Sequence, residues 1–127
     1  METPERFLVL IVEDEGSIAG VLSAFVEDLG YAAMVAPHGV AALEMARARW
    51  PALVLTDYMM PLMSGSRLLS ELRSVSLSTG RTMPPIILMS AVSPRLSEMA
   101  GADVVLAKPF DLARLEALLE RFLGRPA

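Results

Sequence analysis

The sequence predicts an α/β fold, a doubly wound parallel sheet of five strands with helices on both of its faces. Five short apolar runs alternate along the chain with five segments of helical character. Each apolar run is bounded by turn residues, as is typical of strands buried on both faces of a parallel sheet. With 127 residues, 54% of them hydrophobic, we expect a single domain over residues 1–127 with a core from about residue 6 to 124.

The composition excludes several kinds of protein. Without cysteine, the chain has neither disulfides nor thiolate metal sites. It lacks a signal peptide at its start and an apolar run long enough to cross a membrane, so we expect a cytoplasmic domain without a membrane partner. The net charge of −4 argues against binding of nucleic acid by this domain. Ten of the eleven basic residues are arginine, and Lys108 is the only lysine.

The order of elements follows from apolar patterns and from glycine and proline breakers. The predicted strands are residues 7–12, 31–35, 53–57, 86–89 and 104–107. The predicted helices are residues 18–29, 40–49, 67–73, a short one within 93–101, and one capped by Asp111. The stretch 74–85 is rich in serine, threonine and glycine, and we expect it to be a mobile loop.

Polar side chains stand where four of the predicted strands end. Glu13 and Asp14 follow the first strand, Asp57 ends the third, Ser90 follows the fourth and Lys108 follows the fifth. Because the carboxyl ends of parallel strands meet at one edge, we expect these groups to converge. Three carboxylates at one edge cannot all stay ionised and close together without a cation, and an oxygen-only ligand set suits Mg²⁺. A lysine and a hydroxyl beside that ion suit a phosphoryl group, which an aspartate can accept as a nucleophile.

Five short motifs occur at these strand ends and at the turn before the fifth strand. They are Val-Glu-Asp-Glu at 12–15, Thr-Asp-Tyr-Met-Met-Pro at 56–61 with Gly65, Met-Ser-Ala at 89–91, Gly-Ala-Asp at 101–103 and Lys-Pro-Phe at 108–110. With them the chain resembles the receiver domain of two-component response regulators over nearly its whole length. The resemblance implies a flavodoxin-like fold with strand order 2-1-3-4-5.

The resemblance also implies roles for the acidic residues. Asp57 matches the residue that accepts the phosphoryl group. Asp14 matches the acid that binds the metal directly, and Glu13 matches its neighbour, which often reaches the ion through water. Met59 falls where the family places a backbone carbonyl on the metal, so the implied ligands are Glu13, Asp14, Asp57 and the Met59 carbonyl. The implied cofactor is Mg²⁺, or Mn²⁺ in its place.

The remaining implied roles concern the phosphoryl group. Lys108 matches the lysine that pairs with it, and Ser90 matches the hydroxyl that moves onto it. The backbone amides of Met59 and Ala91 complete the phosphate cradle. The implied donor is a phosphohistidine on a sensor histidine kinase or a histidine phosphotransfer protein, whereas the output partner is unknown. Such a domain promotes its own modification without turning over an outside substrate, so it is not expected to be an enzyme.

The sequence departs from the family pattern at its output switch. Val105 stands three residues before the lysine, where receivers usually carry tyrosine or phenylalanine, and valine has no ring that could turn inward. The segment 90–101 is also shorter than usual by about four residues, roughly one helical turn, which predicts a shortened fourth helix. We therefore expect an atypical switch in which Ser90 acts without an aromatic partner and ordering of 90–101 carries the signal.

Three other functions are alternatives to a phosphorylated receiver domain. The first is an interaction module on the same fold that does not use phosphorylation. The second is a metal-dependent phosphatase, which usually carries an Asp-x-Asp motif, whereas Tyr58 and Met59 follow Asp57 here. The third is a nucleotide-binding domain, for which the glycine-rich motifs are missing. Within the leading interpretation, apolar Met59 and Val92 beside the phosphoryl group predict its slow hydrolysis.

Overall fold

The computed structural model describes residues 6–92 and 101–126 and contains one parallel five-stranded sheet. The strands lie in the order β2-β1-β3-β4-β5, which confirms the predicted class and strand order. Their bounds are β1 (Leu8–Val12), β2 (Ala32–Ala36), β3 (Leu53–Asp57), β4 (Ile86–Ser90) and β5 (Val104–Ala107). Strands β1, β3 and β4 are buried along their whole length, because helices cover both faces of the sheet.

Four helices lie within the described residues: α1 (Gly16–Asp28), α2 (Gly39–Ala48), α3 (Gly65–Thr79) and α4 (Leu112–Leu123). Two apolar clusters separate them by face. One cluster joins α1 and α4 to the sheet, and the other joins α2 and α3 to the opposite face. This arrangement is the doubly wound one that the alternating pattern predicts. The short helix expected between β4 and β5 falls on residues 93–100, which lie outside the described residues.

Helix α3 is longer than the sequence predicts. We expected a loop from residue 74, whereas the helix continues to Thr79 and ends at Gly80, which takes the left-handed conformation typical of a helix C-terminus. Burial of Val75 and Ser76 stabilises this extension. The Thr79 hydroxyl donates to the Val75 carbonyl at 2.6 Å, and the Ser78 hydroxyl donates to the same oxygen at 3.2 Å. Serine and threonine therefore satisfy helix carbonyls here instead of forming turns.

Two helices begin differently from the prediction. Asp111 occupies the residue before α4, but its side chain makes no capping hydrogen bond, and its carbonyl accepts from the amides of Arg114 and Leu115 instead. His38, which lies just before the predicted helix 40–49, caps α2, because its Nδ1 accepts a hydrogen bond from the Ala41 amide at 3.1 Å.

The register of the sheet aligns the carboxyl ends of its strands. Val12 at the end of β1 lies opposite Ala36 in β2 and Thr56 in β3. Asp57 lies opposite Met89, and the next residue, Ser90, lies opposite Ala107. The residues that end or follow β1, β3, β4 and β5 therefore meet at one edge of the sheet, as predicted.

The lengths and apolar content of the helices bear on whether the chain could cross a membrane. None of those within residues 6–92 and 101–126 is both long enough and apolar enough to cross a bilayer.

Candidate functional site

Three carboxylates lie together at the carboxyl edge of the sheet. Glu13 and Asp57 expose only 2% and 5% of their surface, whereas Asp14 is exposed. One carboxylate oxygen from each residue lies within 4.8 Å of the others. This convergence follows from the parallel register, which brings residues distant in sequence to adjacent strand ends. The structure therefore assembles the three acids that the sequence analysis proposed as a cluster.

Lys108 follows the edge strand β5, and its side chain reaches this cluster from there. Its Nζ lies 2.5 Å from Asp57 Oδ1 and 3.1 Å from Glu13 Oε1, so one ammonium group contacts two carboxylates. About a quarter of the lysine side chain remains exposed. The flexible stem and compact charge of lysine permit this reach, since the guanidinium of arginine is a wider planar group.

Burial and proximity shift the acidities of these groups. Burial raises the pKa of Asp57 to about 7 and its hydrogen bond with Glu13 adds to the rise, although Lys108 opposes it. Burial also favours a high pKa for Glu13, but hydrogen bonds with Asp57 and Lys108 outweigh it and hold that pKa below its usual value. Burial likewise opposes the charge of Lys108, yet the two carboxylates raise the pKa of its ammonium group. Burial and the neighbouring carboxylate therefore favour a proton on Asp57 over one on Glu13.

The chemistry of the donor set fits a hard divalent cation. The carboxylates of Glu13, Asp14 and Asp57 supply only oxygen atoms, which Mg²⁺ and Mn²⁺ prefer. They line a cleft of about 330 Å³, to which Met59 and Ala91 also contribute. Of the three acids that line the cleft, Asp14 is exposed to solvent, whereas Glu13 and Asp57 are buried. A hydrated ion that keeps several waters suits such a site.

Ser90 lines the same cleft, but its hydroxyl is engaged elsewhere. Its Oγ donates to the Val92 carbonyl at 2.5 Å and accepts the Val92 amide at 3.2 Å, which closes a tight turn after β4. Ser90 is buried, whereas Ala91 and Val92 are exposed. Val105 is half-buried in β5 and pairs in register with Leu88. The predicted switch position in β5 thus carries a short aliphatic side chain that is half-buried.

The loop after Asp57 is held by contacts that the sequence analysis did not identify. The hydroxyl of Thr56, which is fully buried, donates to the Asp57 carbonyl at 3.0 Å. Its signal in the sequence is a hydroxyl residue inside an otherwise apolar strand, directly before the aspartate. The amide of Gly65 donates to the Tyr58 carbonyl at 2.7 Å. A Cβ atom at Gly65 would lie 2.6 Å from the Asp57 carbonyl oxygen, so only glycine fits there.

The chain was compared with known families and structures. The family model of the response regulator receiver domain matches residues 9–120. Response regulator MprA of Mycobacterium ulcerans is 37% identical over 120 residues, which cover 89% of this chain and 50% of that protein. The chemotaxis protein CheY4 of Vibrio cholerae has a TM-score of 0.81 and 28% identity, covering 93% of this chain and 99% of that one.

A further solved structure concerns the metal site. The receiver domain of the sensor histidine kinase PA1611 from Pseudomonas aeruginosa has a TM-score of 0.81 and 29% identity, covering 94% of this chain and 98% of that one. That receiver holds a magnesium ion in its active-site cleft. The chain spans about half the length of the curated relatives it matches. From the family match and these similarities, the chain belongs to the response regulator receiver domains of two-component signalling.

Proposed function

We propose that this domain accepts a phosphoryl group onto Asp57 from a phosphohistidine of a sensor histidine kinase or a histidine phosphotransfer protein. The observation that carries the proposal is the contact of Lys108 Nζ with both Asp57 and Glu13 in one acidic cleft. A carboxylate that is buried beside an ammonium group, and open on one side to solvent, can act as a nucleophile toward phosphorus.

The proposed transfer uses groups that already lie in contact. An oxygen of Asp57 forms a bond to phosphorus while the bond from phosphorus to the donor histidine nitrogen breaks. The leaving imidazole keeps the electron pair of that bond and is protonated from solvent. Lys108 then turns its charge from the free carboxylate to a phosphoryl oxygen, and the amides of Met59 and Ala91 donate to the other oxygens.

The metal ligands in this proposal are Glu13, Asp14, Asp57 and the Met59 carbonyl. Bound Mg²⁺, or Mn²⁺, would supply positive charge that neutralises the transferring phosphoryl oxygens. Asp14 is the exposed member, so it is the ligand that an entering hydrated ion meets first. Glu13 holds its place through Lys108, which supports its assignment as the more remote ligand.

The proposal includes an atypical output switch. The Ser90 hydroxyl would leave Val92 and donate to a phosphoryl oxygen, which opens the turn that begins the segment 90–101. Val105 offers no ring that could follow this movement. The change would therefore pass into the backbone after β4, and not through a side chain of β5.

The domain boundaries and location belong to the same proposal. Regular elements run from Leu8 to Leu123, which supports a single receiver domain over 1–127 with a core from about residue 6 to 124. We propose a cytoplasmic location, for which the cysteine-free sequence is the support.

Intact mass spectrometry after incubation with acetyl phosphate and Mg²⁺ tests the proposal. We expect the wild type to gain the mass of one phosphoryl group and Asp57→Asn to gain none. Asp28→Asn is the matched control, because it makes the same change at an exposed carboxylate of α1 and should leave the modification intact. Omission of the metal should suppress the reaction in the wild type and in Asp28→Asn.

The alternative function, an interaction module that does not use phosphorylation, predicts a different result. In that case the wild type would gain no mass, and beryllofluoride would not bind in the presence of Mg²⁺. Modification of Asp57→Asn at the wild-type rate would also contradict the proposal, because another residue would then be the acceptor.

A further inference from the structure

Three arginines and the only tryptophan lie together at the opposite end of the domain from Asp57. Arg47 is in the last turn of α2, Arg49 follows that helix, and Trp50 comes next. Arg81 follows Gly80, which caps the C-terminus of α3. We call Arg47, Arg49, Trp50 and Arg81 the arginine patch. Helices α2 and α3 pack side by side on one face of the sheet, so both end at the edge where the strands begin.

The arginine patch is held together by specific contacts. Trp50 Nε1 donates to the Thr82 carbonyl at 2.9 Å, and the Arg81 guanidinium lies 5.4 Å from the centre of the tryptophan ring. Arg81 Nη1 also donates to the Arg47 carbonyl at 3.3 Å. These contacts join the end of α2 to the loop after α3. Because Arg81 is already ordered, less conformational entropy is lost when a ligand binds to it.

The charges of the patch are not balanced by ion pairs. Within residues 6–92 and 101–126, the only arginine in an ion pair with a carboxylate is Arg125, whose Nε lies 3.6 Å from Glu120 Oε2. Arg47, Arg49 and Arg81 are all exposed and make no such pair. Three arginine charges without a carboxylate partner among the described residues thus lie where α2 and α3 end, on a chain whose net charge is −4.

A cleft of about 410 Å³ lies beside Arg81, which is the one arginine of the patch that lines it. Trp50 and Met83 line it, together with three prolines, Pro51, Pro84 and Pro85. The prolines restrict the backbone, so the cleft is rigid. Tryptophan, arginine and methionine are the side chains enriched where proteins bind one another.

We propose that the arginine patch is a docking site for an acidic peptide segment of a partner protein. Carboxylates of the segment would pair with the three guanidiniums, and one apolar side chain would enter the cleft beside Trp50. Nucleic acid is disfavoured, because three arginines on an acidic domain offer too little charge for a polyanion. The phosphoacceptor cleft lies at the opposite end of the five-residue strands, which span about 16 Å.

The test uses the full chain and a synthetic peptide, acetyl-Glu-Asp-Leu-Glu-Glu-Phe-Asp-Glu-amide. Fluorescence of Trp50 reports binding directly, because the chain has no other tryptophan. We expect a saturable change in its emission that weakens as salt is added. The peptide with glutamine and asparagine in place of its acids should bind about tenfold more weakly or worse, because it cannot form ion pairs with the arginines.

Paired variants separate a docking role from a structural one. Arg47→Gln with Arg49→Gln should weaken peptide binding about fivefold or more, while Arg67→Gln with Arg114→Gln removes the same charge elsewhere and should change it little. If the arginines only stabilised the end of α2, thermal stability would fall in the first pair while peptide affinity stayed the same. That result, equal binding of the uncharged peptide, or tighter binding of a single-stranded oligonucleotide would each overturn the proposal.

Discussion

The ammonium group of Lys108, which follows β5, lies 2.5 Å from the Asp57 carboxylate at the end of β3, although β4 separates these two strands. The lysine side chain therefore extends across the end of β4. The same nitrogen contacts Glu13 after β1, so one cation joins the ends of three strands. Two buried carboxyls and one ammonium form a site whose protonation depends on what enters it.

The first prediction concerns the stability of the metal-free domain as pH changes. Because the pKa of Asp57 is raised from 3.8 to about 7 on folding, the folded state keeps a proton that the unfolded chain has lost. The free energy of unfolding should therefore fall by about 1–2 kcal/mol between about pH 5 and pH 7. The lowered pKa of Glu13 acts below this window and does not offset the loss. Urea unfolding at several pH values in the presence of EDTA measures this free energy.

Two further measurements test whether ionisation of Asp57 causes this loss of stability. Asp57→Asn cannot ionise, so its stability should vary much less over the same pH range. Saturating Mg²⁺ favours the ionised carboxylates and should stabilise the wild type at pH 7 by mass action. A wild-type stability that rises through this range without metal would show that Asp57 is not protonated in the folded protein.

The second prediction concerns the lifetime of the phosphoryl group. Met59, which is 72% exposed, and Val92 both line the cleft, and neither side chain can hold an attacking water. Loss of the phosphoryl group should therefore be slow. Met59→Asn introduces a hydrogen-bonding amide beside the group and should accelerate its loss about threefold to tenfold. The rate follows from intact mass after removal of the phosphodonor.

Leu62→Asn provides the matched control for that measurement. It makes a similar change to an exposed apolar residue of the same loop, but Leu62 does not line the cleft. Its phosphoryl lifetime should equal that of the wild type. Rapid loss from the wild type in Mg²⁺ without a phosphatase would show that water is positioned by some other group.

The third prediction concerns backbone conformation at Leu62. Its φ of 71° lies in the left-handed region, which is costly for leucine, and its side chain is 77% exposed. Leu62→Asn should raise the free energy of unfolding by about 0.5–1 kcal/mol, because asparagine tolerates this conformation and little packing is lost.

Leu77→Asn is the comparison, since Leu77 is equally exposed, at 79%, but lies within helix α3. There the same substitution should lower stability by about 0.5 kcal/mol, because asparagine is a poorer helix former. Urea unfolding of both variants should thus show changes of opposite sign. Equal losses would mean that the conformation of Leu62 is not strained.

The fourth prediction concerns the glycine that lies beside Asp57. An added Cβ at Gly65 would lie 2.6 Å from the Asp57 carbonyl oxygen and 2.7 Å from Leu88 Cδ1. Gly65→Ala should therefore cost about 2 kcal/mol of stability and slow phosphorylation by displacing Asp57. Thermal unfolding and intact mass measure the two effects.

The control is Gly20→Ala in α1, where no atom lies within 4 Å of the added carbon. That variant should gain up to about 1 kcal/mol, because alanine favours helix more than glycine does. If Gly65→Ala were as stable as the wild type, the loop after β3 would be able to move away from Asp57.

The sequence by itself determined the fold class, because a buried parallel strand must be apolar on both faces and must be followed by a helix that returns the chain. The runs ending at Val12, Asp57 and Ala107 carry that pattern without reference to the rest of the molecule. Helix α3 shows where local inference ends. The composition of residues 74–79 favours a loop, whereas burial of Val75 and Ser76 against neighbouring elements makes them helical.

The candidate site likewise has features that the sequence predicts and others that only the tertiary structure shows. The identities and strand-end positions of Glu13, Asp57 and Lys108 can be deduced from the chain alone, since parallel strands end at one edge. Only the tertiary structure decided that Lys108 contacts both acids and that the Ser90 hydroxyl bonds to Val92. Side-chain contacts depend on the distances between elements and on competing partners. Local sequence does not encode these, because they arise only when the whole chain has packed.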